Sequence, residues 1–497
     1  MTTGFSTLLK KAQTTMPPID DTRTDDPGTM KAMEAKLASV MDSMKFTRAH
    51  KILFLLATSG VFFDILEQDT IGIIGPVLQQ DWGISTSQIA LLTSTTFLTM
   101  MIGGLLSGVL ADRYGRKTML TINFLVYGAG ALLCALAPNY VLLLAARALV
   151  GFGLGGELSS AITIMSEYSP TKHRGSAVAG MNIAGGGLGN LLAPLYGMLV
   201  LGPWAMLIGA GTDSWRWVFA FLVLPILLVA VFRRYMPETP RFLLSRGRIE
   251  ECNRSLTILK RGRLAPRSME LESEQFFDKD ARTSLRSERI RLSEILARPW
   301  RSRAIALTIM TFAQVGGQIS ILVLMPTILV HQGYTIIGSI GYTAVMQSGS
   351  VLGAVAATLL GRYVNRRTVI GIALIGAALS AIAFGTLFGT LALVLIFGSV
   401  LQFFMILLST TLYAWYPEVF PTRIRAFGVG TAKSVGTLGA VIMPPVAGAI
   451  FDTAGLVPIF VMISVLLAIA FIASRTMPET RGRSLEEVNE LKGEAMG

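Results

Sequence analysis

Apolar runs near 20 residues long recur along the chain, separated by short polar turns, and one helical crossing of a bilayer needs a run of about that length. Twelve such runs begin near residues 52, 89, 118, 140, 175, 215, 303, 338, 368, 391, 425 and 456. The pattern predicts an all-α polytopic membrane protein of twelve transmembrane helices. A long basic stretch splits them six and six, which predicts two six-helix bundles at 51–233 and 303–475, a linker at 234–302, and tails at 1–50 and 476–497.

Composition agrees, because 497 residues that are 52% hydrophobic and only 15% charged do not make a water-soluble globule. The net charge of +12 would suit a nucleic-acid binder. Its placement excludes one. Lys and Arg crowd into 10–51, 113–117, 172–174, 233–303, 362–367, 423–425 and 475–492, and the turns at 73–88, 137–139, 198–213, 331–337, 387–390 and 451–455 have none. That is the positive-inside pattern, and it predicts the cytoplasmic (inner) membrane with both termini cytoplasmic. Cys134 and Cys252 fall in a span and in the linker, so no disulfide framework is expected. Residues 1–50 lack the basic–apolar–cleavage order of a signal peptide and read as a disordered cytoplasmic tail. Within them Met30, Met33, Leu37, Val40, Met41 and Met44 are spaced as one helical face, fitting either a surface-lying or a frayed helix.

Charge inside the spans is where chemistry enters. In Phe62-Phe63-Asp64-Ile65-Leu66-Glu67-Gln68-Asp69, three carboxylates interrupt span one, with Asp64 roughly 13 residues and about 20 Å in. An ionised acid there costs at least about 2.5 kcal/mol, so such residues face a protein interior or a water path. Asp64 and Glu67 share a helix face, and Asp69 lies about 200° round from Glu67, which points it elsewhere, toward the outer mouth. Arg147 in span four lies at similar depth once the antiparallel direction is allowed for, and a buried Arg needs an anion. Glu157 follows a glycine run and reads either as an acid at a tight helix contact or as a second protonation site. Lys433, about eight residues into span eleven, faces the cavity.

The loop after span two, Gly108-Val109-Leu110-Ala111-Asp112-Arg113-Tyr114-Gly115-Arg116-Lys117, is echoed after span eight by Gly361-Arg362-Tyr363-Val364-Asn365-Arg366-Arg367-Thr368, where the acid is missing. Such internal repeats are a transporter trait. Gly108–Lys117 resembles the loop signature of the major facilitator superfamily. Further resemblance lies in Arg147 with Gly151–Glu157, Glu167 with Arg174-Gly175, Pro237–Leu243, Pro417–Arg423 and Pro478–Glu487, and covers about residues 50–490. These segments are similar to the sugar-porter-related branch, which includes aromatic-acid:proton symporters and nicotinate-type transporters. Aligned on the symporters, Asp64 and Glu67 are the signature acids; aligned on the sugar porters, Asp69-Thr70 is.

The resemblance implies a gating network of Asp112, Arg113, Arg116, Glu167, Arg174, Glu418 and Arg425 that stabilises the outward-open state. It implies proton coupling through a span-one acid and Arg147, with Asp64, Glu67, Asp69 and Glu157 as the candidate acids. Substrate contacts are expected from Arg147, Asn182, Gln314, Gln318, Tyr413 and Lys433. Asn182 and Tyr413 replace sugar-binding residues and Ile319 replaces an Asn, so the set is thin for a neutral sugar. With Arg147, Lys433 suits a carboxylate. The expectation is a proton-coupled symporter importing a small organic anion, an aromatic carboxylate, by alternating access, working as a monomer without cofactor or metal. A sugar or polyol symporter, an efflux antiporter and a non-transporting sensor are the alternatives. No nucleophile–base set, metal cluster or phosphate loop stands out, and His50, His173 and His331 are dispersed, which argues against an enzyme.

Overall fold

In a bilayer the backbone must satisfy its own hydrogen bonds, and among the described residues of this computed structural model there are helices and no strands. The structure describes residues 27–170, 173, 177, 180–181, 183–264, 269, 271–278, 300–387, 389–420 and 424–480. Among the described residues, eleven helices are long and apolar enough to cross a membrane. Spans one to four are Arg48–Trp82, Thr86–Tyr114, Arg116–Ala135 and Tyr140–Tyr168. Span five runs over Ile183–Ile208 with wide, π-type turns at Ile183–Gly189 and Val200–Trp204. Spans seven to twelve are Trp300–His331, Ile336–Tyr363, Arg366–Thr386, Leu391–Trp415, Arg425–Ala454 and Leu456–Ser474.

The remaining position, span six, is two short helices, Ser214–Phe221 and Ile226–Tyr235, on either side of a turn containing Pro225. Proline removes a donor and breaks the ladder. Hydroxyls from neighbouring spans take up carbonyls there: Tyr127 Oη donates to Leu222 O at 2.7 Å, and Tyr196 Oη to Val218 O at 2.5 Å.

The halves repeat one packing scheme. Span two meets span four where a Cβ on Gly151 would lie 2.1 Å from Thr96 O, and span eight meets span ten where one on Gly349 would lie 2.0 Å from Ser399 O. Only glycine permits that approach, the small-residue contact by which membrane helices associate. Span seven, 78% buried, is central, whereas span twelve, 33% buried and the most apolar, faces lipid.

The two ends differ. At the end without Lys or Arg in its turns, here the neutral end, short polar residues cap the helix starts: Ser85 Oγ accepts from Gln88 N, Asn139 Oδ1 from Leu142 N and Thr335 Oγ1 from Gly338 N. The halves also touch there. Ser87 N and Oγ donate to Asp452 Oδ2 at 3.2 and 3.1 Å, and a Cβ on Gly72 would lie 2.7 Å from Leu322 O.

The basic end is thicker. Residues 27–43, expected as part of a disordered tail, form the helix Pro27–Ser43, whose Leu37 and Met41, with Met44 just beyond, are buried in the protein's own core rather than on a membrane surface. Lys36 Nζ stands 5.4 Å from the Phe277 ring, and Thr47 Oγ1 donates to Leu259 O. That carbonyl belongs to Ile249–Arg261, a linker helix onto which Asn253 ties residues 276–277 by accepting from both amides.

The neutral-end contact can be tested with a wedge. In Gly72→Leu, spans one and seven should separate, so that a cysteine at Leu322 labels severalfold faster with a bulky thiol reagent from that end. Both natural cysteines are buried and should stay silent. Unchanged labelling would show that this contact does not hold the end shut.

Candidate functional site

A cavity of about 450 Å³ lies between the halves, lined by spans one, two, four, five, seven, ten and eleven. Its inner wall is buried: Asp69 is 4% exposed, Phe97 5% and Leu322 6%. Toward the basic end the lining residues Leu105 and Tyr413 are 59% and 37% exposed. The cavity is therefore shut at the neutral end and open toward the basic one.

Beside it, within the first half, Arg147 Nη1 donates to Glu67 Oε1, with both side chains buried. Arg147 Nε also donates to Thr96 Oγ1 at 3.0 Å, and the guanidinium sits 5.8 Å from the Phe219 ring. Helix spacing explains the meeting, since Glu67 faces span four and the two helices run antiparallel. Sequence reasoning had no role for Thr96. The pattern of one hydroxyl a helix away from a lone buried Arg was the available signal.

The other acids separate. Asp64 is buried beside Gln68, within electrostatic reach of Glu67 and Lys433. Glu157 is also buried and unbonded, and a Cβ on Gly60 would lie 2.7 Å from its Oε1, so it packs on span one one turn before Asp64. Neither lines the cavity. Asp69 does, and this corrects the expectation that it turns away toward the outer mouth. Glu67 and Asp69 lie about 200° apart round the helix. Which face meets the gap between halves depends on where span one sits against span seven, and the sequence of one helix does not contain that.

On the facing half, Lys433 Nζ lies 4.8 Å from the Tyr413 ring, both on the cavity wall. No carboxylate lies within ion-pair distance of Lys433 among the described residues. Gln314 and Gln318 also line the cavity but bond to each other, Nε2 to Oε1 at 2.5 Å. Asn190 of span five is on the wall, whereas Asn182, the expected contact from that span, lies outside the described residues.

At the basic end, charges pair in matching places in the two halves. Arg116 Nε meets Glu167 Oε1 at 3.0 Å, and Arg366 Nη2 meets Glu418 Oε1 at 3.4 Å. Arg113 is exposed, its carbonyl accepting from Arg246 Nη2 at 3.3 Å. Arg174 and the side chains of Asp112 and Arg425 lie outside the described residues. Two residues in the quoted segments had no role assigned from sequence, although Pro-Glu-Thr recurs at 237–239 and 478–480. Glu238 accepts from Lys117 N, capping span three, and Glu479 accepts from Arg366 N and Arg367 N, capping span nine.

Burial raises the Glu238 carboxyl above its ordinary 4.5, opposed by the Lys117 and Thr239 amides and by the charges of Lys117 and Arg248. The folded protein thus binds this proton more tightly than the unfolded chain. That stabilisation is complete below 4.5 and is lost as the pH rises through the raised value. Glu238→Gln should keep an acceptor for Lys117 N and flatten the pH dependence of Tm in that window. Glu238→Ala should lose the cap as well, about 1 kcal/mol. A Tm profile as steep in Glu238→Gln as in the native protein would contradict this.

Residues 28–491 match the family model described as sugar (and other) transporter. The chain is 30% identical over 456 residues to the niacin transporter NiaP of Acinetobacter baylyi, covering 91% of this chain and 99% of that one. It is 29% identical over 476 residues to the synaptic vesicle 2-related protein of Xenopus laevis, covering 90% and 81%. Among solved structures, the xylose transporter XylE from E. coli in a partially occluded inward-open conformation has a TM-score of 0.68 at 19% identity, covering 87% of this chain and 98% of that one. That last likeness is one of fold.

Proposed function

The chain belongs to the sugar (and other) transporter family of the major facilitator superfamily, and we propose that it imports a small organic anion, an aromatic carboxylate, together with protons. It is a multi-pass membrane carrier and not an enzyme. The single observation that carries the finer reading is Lys433, a cation on the cavity wall with an aromatic ring beside it and no carboxylate within ion-pair distance among the described residues. A charge placed in a membrane interior in that way calls for an anion, and a substrate carboxylate supplies one. Niacin, named for the Acinetobacter relative, is an aromatic carboxylate.

With the basic loops in the cytoplasm, the cavity as it stands is inward-facing. Protonating Glu67 breaks its pair with Arg147 and loosens span one from span four, which lets the halves rock about the neutral-end contacts. Asp64 of span one and Glu157 of span four, both buried and close to each other, serve as further proton carriers. The pairs of Arg116 with Glu167 and of Arg366 with Glu418, together with Asp112, Arg113, Arg174 and Arg425, latch the basic end when it closes. The carrier works as a monomer. A sugar or polyol would draw on Gln314 and Gln318, which already share one hydrogen bond with each other.

The test is uptake of labelled benzoate, nicotinate and hexose into proteoliposomes, with and without a pH gradient acidic outside. At least one carboxylate should accumulate only under the gradient, and hexose should not. Failure of every anion to accumulate would defeat the proposal. In Glu67→Gln the gradient should no longer drive accumulation while exchange persists; accumulation with its pH dependence intact would remove Glu67 from the coupling. Lys433→Met should raise KM for the carboxylate about tenfold or more, the loss of one charge-assisted contact, and an unchanged KM would place the anion elsewhere.

A further inference from the structure

The Thr96 hydroxyl in span two has one hydrogen, and it is already committed. Thr96 Oγ1 donates to Leu92 O at 3.0 Å, one turn back on its own helix, so toward other groups it can only accept. What it accepts is Arg147 Nε, at 3.0 Å. Both side chains are buried and neither lines the cavity, although Phe97, Met100 and Met101 of the same helix do. The guanidinium is thus gripped by two different spans, Nη1 by Glu67 of span one and Nε by Thr96 of span two. Only the first grip changes with a proton. Spans two and four are pressed together at Gly151, where a Cβ would meet Thr96 O and Thr99 Oγ1, and Phe219 of span six stands 5.8 Å from the guanidinium.

We infer that Thr96 is a positioning residue for proton coupling: its hydroxyl holds Arg147 in place while Glu67 is protonated, so that neutralising the acid frees span one and leaves the arginine behind. The inference rests on Glu67 taking the proton, as read above, and adds what becomes of the cation. One O–H bond forms on Glu67 and the hydrogen bond from Nη1 is lost, while that from Nε stays. Without the hydroxyl, a protonated Glu67 would leave Arg147 with neither of these two oxygen acceptors; an ionised Glu67 would still serve it. Thr96 therefore stabilises the protonated state more than the ionised one, and its loss makes Glu67 harder to protonate. The other titratable side chains within electrostatic reach of Glu67 are Asp64 on its own span, Tyr127 and Cys134 of span three and Tyr196 of span five. Substitution at Thr96 leaves all of them in place.

The experiment is infrared titration of the full-length protein in lipid nanodiscs, with no substrate, following the protonated-carboxyl band that Glu67→Gln removes. In Thr96→Val the midpoint of that band should move to lower pH by about half a unit or more, a proton affinity roughly threefold weaker. Thr96→Ala removes the same acceptor with less bulk and should shift likewise, so the test does not depend on valine being accommodated. Thr96→Ser keeps the hydroxyl and should titrate within about 0.2 unit of the native protein. A midpoint at or above the native one in Thr96→Val or Thr96→Ala overturns the inference, while Glu67 remains the coupling acid. A midpoint in Thr96→Ser as low as in Thr96→Val also overturns it, because the hydroxyl would not be the agent. If Glu67→Gln removes no band at any pH, the inference falls together with the coupling reading beneath it.

Discussion

Burying an arginine and a glutamate in a membrane interior is tolerable only if each neutralises the other, and removing one partner from such a pair typically costs about 3–5 kcal/mol. The contact between Arg147 and Glu67 is that constraint here. It ties span one to span four at mid-depth, and Thr96 extends the tie to span two. The glycines of span four serve the same arrangement: by letting that helix press against span two at Thr96 and Met100, they set the depth and direction from which Arg147 reaches out. Lose the pair and the first half has two buried charges with nothing to hold.

The second half answers with a different device. Lys433 meets a ring rather than a carboxylate, so the facing wall keeps positive charge that the first half has cancelled within itself. The halves touch through Ser87, Asp452 and Gly72 at the neutral end, while the paired charges and glutamate caps at the basic end act within each half. A carrier shut at one end by packing and held stiff at the other by capped helix starts can rock as two bodies around a site between them.

Much of this was legible from residues alone, for a physical reason. Lipid forces a spanning backbone into long apolar helices, so spacing of hydrophobic runs located the spans, and antiparallel depth placed Arg147 opposite Glu67. What failed was whatever depended on a second element. Asp69 was assigned to the outer mouth because one helix cannot reveal which of its faces meets the other half. The break of span six at Pro225 was hidden because Tyr127 and Tyr196 satisfy its carbonyls from other spans. Glu238 and Glu479 sit beyond the last helix of each bundle in sequence yet cap its third, a contact visible only as a repeated Pro-Glu-Thr without a stated role. The helix Pro27–Ser43 showed its apolar face, and only the fold shows that the protein itself covers it.

The claim at the centre is that substrate binding exchanges the Arg147–Glu67 pair for a protonated Glu67. Calorimetric titration of the purified carrier with its carboxylate, repeated in buffers of different ionisation enthalpy, counts the protons taken up on binding. The account predicts uptake of about one proton per carboxylate in the native protein and none in Glu67→Gln. A native protein that binds its carboxylate with no proton uptake in any buffer would contradict it.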